Sequence, residues 1–209
     1  MATLEDLQER VTRLNDIKDI EKLQSIYGYY IDYCDWQNII DLYTDSDPSV
    51  EVSDYGVYKG KSGLKRFYID LLGGGSGKKP RPGYLSINFQ IQGVVSVEPG
   101  ATTAKARWYG MGMEAKSTVS LHEGELRQIW IAGIYENEYV KEDDIWKIKK
   151  LHFNLTFRTP YEEGWLNVPV IGQHGPDLNT PPDEPPTAYF PYPSGYQVPF
   201  SFQHPVTKK

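Results

Sequence analysis

Residues 130–165, WIAGIYENEYVKEDDIWKIKKLHFNLTFRTPYEEGW, decide the fold of this chain. Side chains alternate in character along its first two thirds, the acidic cluster from Lys141 to Asp144 interrupts them, and the alternation resumes at Trp146. A period of two is the spacing of a strand with one buried face, and a short polar interruption between two such runs indicates a tight turn. The segment therefore predicts two long antiparallel strands joined as a hairpin.

The rest of the first 160 residues predicts helices first and strands afterwards. Apolar residues recur every three or four positions in four segments, which indicates a short leading helix, a principal helix and two further helices: 4–14, 16–34, 37–43 and 61–72. Strand patterns occupy 50–58, 84–97, 103–113, 126–140 and 146–159. This order favours an α+β fold, in which the helices cover one face of a curved antiparallel sheet and leave a pocket at its concave face.

The hairpin resembles a known one. Its pattern, Gly-x-Tyr-Glu-Asn-Glu-Tyr-Val, an acidic turn, Trp-Lys-Ile, Leu-His and Pro-Tyr-Glu-x-Gly-Trp, is similar to the closing hairpin of SnoaL-like proteins in the NTF2-like superfamily. Asp32 and Trp36 upstream make the resemblance more specific and extend it over residues 15–165. It implies a cone-shaped, strongly curved sheet closed by N-terminal helices.

The composition changes after Thr159. Of the 15 prolines, 11 lie between Pro160 and Pro205, interleaved with eight aromatic residues. Proline at this density is incompatible with ladders and helices, whereas so many aromatic residues are unusual for a solvated linker. We expect a domain over 1–159 and an extended arm over 160–209 that packs on its own or a neighbouring subunit. A disordered tail and a peptide ligand for SH3-type modules are the alternatives.

Charge and cysteine content exclude several classes of partner. The net charge is -6 and no basic run is present, so the chain has no electrostatic footprint for nucleic acid or anionic lipid. No apolar stretch approaches the length of a membrane span or a secretory signal. Cys34 is the single cysteine, which fits a reduced compartment, and we expect a cytoplasmic protein. No His or Cys pair has metal-ligand spacing, so we expect neither a metal nor a cofactor.

Asp32 is the first candidate for chemistry. On the principal helix it shares a face with Gly28, Tyr29 and Trp36. An aromatic surrounding destabilises the charged carboxylate, which is how a general base is tuned towards neutral pH. Asp32 is therefore the predicted base and Tyr29 a substrate-binding residue. The alternative is a solvated helix residue or a helix cap.

The resemblance adds two candidates and one departure. The spacing of Asp32 to Trp36 is similar to that of scytalone dehydratase-like members, which also carry a tyrosine on the first strand, where this chain has Tyr55. Those members use two histidines on middle strands, and the matching neighbourhoods here, 86–89 and 107–110, contain none. Asn88 can hydrogen-bond a substrate oxygen but cannot transfer protons. Core packing is the alternative for Tyr55.

Four further candidates depend on which face of the sheet lines the pocket. Arg107 and Tyr109 share one side of their strand. If that side faces the pocket, Arg107 would stabilise developing negative charge on a substrate. If it lies on the opposite face, Arg107 would form an ion pair. Trp130 is a substrate-binding candidate at the start of the hairpin. His152 alternates with Asn154, Thr156 and Arg158, a row expected on the outer face or at a subunit contact. Because His152 belongs to the Leu-His pair of the resemblance, it stays a candidate acid or base.

Two functions are compatible with these residues. The first is a cofactor-independent lyase, dehydratase or isomerase acting on a hydrophobic aromatic small molecule. The long Pro-Tyr-rich tail is similar to that of diarylpropane lyases, which release formaldehyde from a lignin-derived diarylpropanediol. The second is a non-catalytic binding or assembly module, which the superfamily also contains. We expect a homo-oligomer under both, with a trimer favoured by analogy.

Overall fold

The structure, a computed structural model, describes residues 2–75, 84–116, 127–171 and 175–207. Its helices are α1 (Leu4–Asp32), α2 (Trp36–Asp41), α3 (Gly60–Lys65), which continues into a π-helical segment (Arg66–Leu72), and α4 (Gly164–Asn167). Its strands are β1 (Ser49–Val52), β2 (Val57–Lys59), β3 (Leu85–Ser96), β4 (Thr103–Lys116), β5 (Arg127–Glu142) and β6 (Ile145–Pro160). No described helix is both long and apolar enough to cross a membrane.

The six strands form one open sheet in the order β2-β1-β6-β5-β4-β3. Strands β3 to β6 make an antiparallel meander, while β1 pairs with β6 in parallel. Helix α1 packs across this sheet, mainly along the edge strand β3. The predicted α+β architecture is confirmed, with one parallel pair in a sheet expected to be wholly antiparallel.

Three predicted elements differ from the structure. The predicted helices 4–14 and 16–34 are one helix, α1, because no glycine or proline separates them. The predicted strand 50–58 is two strands, since Ser53 and Gly56 adopt positive φ angles of 54° and 95° and turn the chain back on itself. The resulting turn carries Tyr55.

Helix α1 has two halves with different surroundings. A capping box between Thr3 and Asp6 starts it, and all residues from 2 to 15 are exposed. The second half buries Asp16, Ile20, Gln24, Tyr27 and Gly28. Only this half packs on the sheet, and Asp32 lies at its end.

Aromatic side chains fill the space between α1 and the sheet. Tyr135 on β5 lies edge-on to Tyr27 on α1, with ring centroids 6.2 Å apart, and 4.6 Å from the ring of Phe153 on β6. Tyr135 also pairs with Trp108 on β4. Directly paired residues point to the same side of a sheet. We call this side, which contacts α1, the inner face and the opposite side the outer face.

The described residues after Pro160, 161–171 and 175–207, contain little regular structure and are tied to the chain's own domain. The Tyr58 hydroxyl donates to the carbonyl of Thr180 at 2.8 Å, and the backbone N–H of Thr187 donates to Glu51 at 2.7 Å. The N–H of Tyr192 donates to the carbonyl of Thr156 at 2.7 Å. These bonds hold the segment against β1, β2 and β6.

Candidate active site

Asp32 lies where α1 meets the edge strand β3. Its Oδ1 accepts hydrogen bonds from the backbone N–H of Asn88 at 2.8 Å and from Asn88 Nδ2 at 3.0 Å. Its Oδ2 makes no hydrogen bond to the residues that the structure describes. Burial raises the pKa of the Asp32 carboxyl, while the two bonds from Asn88 lower it. A half-buried carboxylate with one oxygen left for a ligand and a raised pKa is suited to accept a proton.

Gly28 explains why α1 comes so close to β3. A Cβ built on Gly28 would lie 3.0 Å from Gln90 Cγ and 3.1 Å from the carbonyl oxygen of Asn88. Glycine in a helix interior costs about 1 kcal/mol relative to alanine. Here its missing side chain permits a close backbone approach, and this contact sets the position of Asp32 one turn later.

Asn88 positions Asp32 and has little hydrogen-bonding capacity left. One Nδ2 hydrogen goes to Asp32 and the other to Ser86 Oγ at 3.0 Å, so both donors of the amide are in use. Just before β3, the Tyr84 hydroxyl lies 3.4 Å from the Sγ of Cys34. Asn88, the predicted substrate-binding residue, can therefore offer a ligand only its Oδ1.

A β-bulge in β6 brings Arg158 to the inner face. Gly133 pairs with Leu155 but Ala132 pairs with Phe157, so Thr156 is an extra residue on β6. One extra residue inverts the side-chain alternation of the strand beyond it. The sequence prediction that Arg158 shares a face with His152 is wrong for this reason.

Arg158 completes a row of polar side chains that begins at Asp32. Its Nη2 lies 3.2 Å from Oε2 of Glu114, and the two side chains are 21% and 7% exposed. Glu114 pairs with Ser86 across β3 and β4. Together these contacts form what we call the inner polar row: Asp32, Asn88, Ser86, Glu114 and Arg158.

Tyr55 faces the Arg158 end of the inner polar row. It packs on Phe67 with ring centroids 6.2 Å apart. Burial raises the pKa of the Tyr55 phenol, and the Arg158 charge opposes this while Glu114 adds to it. A neutral phenol close to a guanidinium can donate a hydrogen bond to an oxygen that gains negative charge. The structure thus brings Tyr55 and Arg158 to the inner face together with Asp32.

Four predicted site residues lie on the outer face. Arg107 pairs with Glu136 at 2.5 Å and donates to the carbonyls of Val198 and Pro199. Three others share that face: Tyr109, Trp130 and His152. The sheet therefore separates these four residues from Asp32. Tyr29, the fifth displaced candidate, is 67% exposed on α1.

His152 belongs to a second buried polar group. Its Nε2 lies 3.4 Å from Oε1 of Glu51, whose side chain is 1% exposed and also accepts hydrogen bonds from the N–H and Oγ1 of Thr187. Burial lowers the pKa of His152, whereas the Glu51 charge raises it. This group links β1 and β6 to the C-terminal segment rather than to Asp32.

Sequence reasoning missed the roles of Ser86, Glu114 and Arg158. The one available signal is Gly133, because glycine inside a strand often marks a bulge or a close backbone approach. A Cβ on Gly133 would lie 2.4 Å from Cζ of Phe153. Among the described residues, no group of three or more His, Cys, Asp or Glu side chains could hold a metal ion.

Several solved structures share this fold. A protein provisionally named as a scytalone dehydratase, from Novosphingobium aromaticivorans, is 17% identical with a TM-score of 0.59, over 79% of this chain and 99% of that one. The hexachlorocyclohexane dehydrochlorinase LinA-type3 from Novosphingobium barchaimii is 22% identical with a TM-score of 0.57, over 72% and 93%. An NTF2-like protein with a cystatin-like fold from Novosphingobium aromaticivorans is 18% identical with a TM-score of 0.55, over 74% and 91%.

At these identities the likeness establishes the fold and not the reaction. No curated protein matches the sequence. Residues 12–152, well over half of the chain, match the SnoaL-like domain family. This range contains α1 from Thr12 to Asp32 and extends to His152 on β6. The chain belongs to the SnoaL-like family.

Proposed function

We propose that this protein is a cofactor-independent lyase acting on a hydrophobic aromatic small molecule, with Asp32 as its general base. The observation that carries the proposal is the half-buried Asp32 carboxylate, fixed through Oδ1 by Asn88 and with a raised pKa. Holding one oxygen leaves the other aimed and available for proton transfer. The dehydratase and dehydrochlorinase names of structural neighbours also fit elimination chemistry.

Arg158 and Tyr55 are the proposed partners of Asp32 at the far end of the inner polar row. Each can donate a hydrogen bond to a substrate oxygen that gains negative charge or leaves. Arg158 donates from a permanently charged guanidinium, and Tyr55 donates from a neutral phenol. This assignment replaces Arg107 and His152 of the outer face, which cannot reach a ligand bound beside Asp32.

For a diarylpropanediol, the proposed reaction is a deformylation. Asp32 takes the proton of the terminal hydroxyl, the adjacent carbon–carbon bond breaks, and formaldehyde is released. The electron pair of that bond forms a carbon–carbon double bond and expels the second hydroxyl, which leaves as water with the proton from Asp32. A simple dehydration would use the same base and the same donors.

The test combines a substrate screen with a matched pair of variants. Purified protein is incubated with phenolic diols, and released aldehyde is measured. Asp32→Asn keeps an acceptor for both Asn88 bonds and removes the base, so it should lower kcat at least about a hundredfold with an unchanged melting temperature. Asp41→Asn, at an exposed position of α2, is the control.

Two results would reject the proposal. Turnover by Asp32→Asn at the wild-type rate would exclude Asp32 as the base. Tight binding of phenolic diols without any release of aldehyde or water would instead favour the non-catalytic binding module.

A further inference from the structure

The first half of α1 carries an apolar stripe that is exposed to solvent. Four residues form the stripe, at spacings of three, four and three, and they are 81%, 49%, 56% and 61% exposed: Leu4, Leu7, Val11 and Leu14. Apolar side chains at this spacing lie on one side of a helix, and most helices in proteins are stabilised by packing such a side against a partner. The stripe therefore combines the pattern of a packed helix face with the exposure of a free surface.

The stripe points away from the sheet. Leu7 and Val11 each precede a buried residue of α1 by nine positions, Asp16 and Ile20 respectively. Nine residues are about two and a half turns of an α-helix, so the stripe and the buried side of α1 are opposite each other. The described elements of the domain leave this side of α1 open to a second molecule.

The stripe is complementary to itself. Its spacings read the same in both directions, so two antiparallel copies of α1 place Leu4 against the partner subunit's Leu14 and Leu7 against the partner subunit's Val11. In a parallel pair, Lys18, the next residue on this side of the helix, would face its own copy, and like charges in contact are destabilising. Antiparallel pairing matches every apolar residue and keeps the two lysines apart.

Charges at the border of the stripe favour the same orientation. Arg10 lies one turn from both Leu7 and Leu14, and Asp6 lies four residues before Arg10 on the same side of the helix. In the antiparallel register, Arg10 of each copy comes beside the partner subunit's Asp6. Opposite charges along the edges of a helix pair determine partner and orientation.

The size of the stripe limits the strength of the contact. Residues 4–15 form about 18 Å of a helix that is about 10 Å wide. Two such helices bury less than the roughly 1,200 Å² of a stable interface, so association through them alone should have a dissociation constant in the micromolar range or above. Because the stripe is opposite the sheet, the two domains lie on opposite sides of the helix pair and do not collide.

We propose that residues 4–14 are a self-association surface on which a second copy of this chain docks its own apolar stripe antiparallel, around a two-fold axis. A second copy fits this surface better than a membrane does. The polar sides of this half-helix carry three acids against two arginines, whereas helices that bind membranes are rich in basic residues: Glu5, Asp6 and Glu9 against Arg10 and Arg13. The inference does not depend on the proposed function.

The experiment measures the mass of the full-length protein by sedimentation equilibrium between about 5 and about 500 µM, a range that brackets a micromolar Kd. The wild-type mass should rise with concentration. Leu7→Lys should raise the Kd of this step at least about tenfold, because each pair would bury two unpaired ammonium groups. Thr12→Lys is the matched control: it adds the same charge about 100° round the helix from Val11 and should change Kd less than about twofold. Leu7 and Thr12 are both exposed, so both variants should keep the wild-type melting temperature at low concentration.

Two further sets of variants test the orientation. In the antiparallel register, Leu4 lies about 15 Å along the axis from its own copy, too far for a disulfide. Leu4→Cys and Leu14→Cys should therefore form no cross-link when oxidised separately and should cross-link when mixed. Arg10→Glu should weaken association about threefold at low salt, whereas Arg13→Glu, about 200° round the helix from Val11, should not.

Four results would overturn the proposal. The first is an equal mass of the wild type and Leu7→Lys at every concentration, and the second is equal weakening by Leu7→Lys and Thr12→Lys. The third is cross-linking of Leu4→Cys with itself, which would mean parallel pairing. The fourth is binding of the wild type, but not of Leu7→Lys, to phosphatidylcholine vesicles without self-association, which would make the stripe a membrane contact.

Discussion

Replacement of Gly28 by alanine tests how the packing of α1 positions Asp32. Alanine favours the helix by about 1 kcal/mol relative to glycine. The new Cβ would lie 3.0 Å from Gln90 Cγ, which can move, and 3.1 Å from the Asn88 carbonyl oxygen, which belongs to the backbone of β3. Overpacking of this kind costs about 1–3 kcal/mol. We therefore expect a net loss of up to about 2 kcal/mol in the free energy of unfolding.

Gly28→Ala should also change the environment of the Asp32 carboxylate. If α1 moves away from β3, the 2.8 Å bond from the Asn88 N–H to Asp32 Oδ1 lengthens. Because this bond lowers the pKa of Asp32, its weakening should raise that pKa further and reduce turnover.

Urea unfolding and turnover of Gly28→Ala are compared with those of Ser25→Ala. Ser25 is exposed on the same helix and is only bonded to the carbonyl of Glu21, so its replacement should raise stability by a few tenths of a kcal/mol. The reasoning would be refuted by a Gly28→Ala variant that is as stable as Ser25→Ala and fully active.

Three other predictions concern groups away from Asp32. Asp16 is 3% exposed and accepts hydrogen bonds from Lys141 and from the indole of Trp146. Asp16→Ala should therefore lower the free energy of unfolding, measured by urea titration, by about 3 kcal/mol. A loss below about 1 kcal/mol would contradict this. Thr187→Val removes a hydroxyl donor from Glu51 and should speed cleavage of the C-terminal segment in limited proteolysis, whereas equal rates would show that the bond does not hold it. Burial lowers the pKa of His152 in the folded protein, so folding favours the neutral imidazole. The contribution of His152 to the free energy of unfolding is therefore complete above the unfolded pKa of about 6.5 and is lost as the pH falls below that value. The melting temperature of His152→Gln should therefore fall less than that of the wild type between pH 7 and pH 5.

The arrangement of elements follows from sequence patterns because the pattern periods report local geometry. The alternation on both sides of Asp143 predicts the β5–β6 hairpin, and the spacing of Ile20 and Tyr27 predicts the buried side of α1. The parallel pairing of β1 with β6 has no such signal, since it joins residues about 100 positions apart.

The candidate site is less predictable because it depends on which face each side chain occupies. Asp32 follows from its place on an aromatic helix face. Arg158 does not, because the extra residue at Thr156 reverses its direction and leaves the local composition of β6 unchanged. The same difficulty applies to Arg107. The side chains of its strand alternate regularly between the two faces of the sheet, but nothing in the local sequence indicates which face contacts α1.

The most direct test of the account is an NMR titration of the Asp32 carboxyl carbon in the full-length protein. If Asp32 is a tuned base, the midpoint lies above the ordinary value of 3.8, because burial outweighs the two bonds from Asn88, and the acid limb of kcat/KM should follow the same midpoint. A midpoint at or below 3.8 would mean that the two bonds from Asn88 offset or outweigh burial, and it would contradict the assignment of Asp32 as a tuned base.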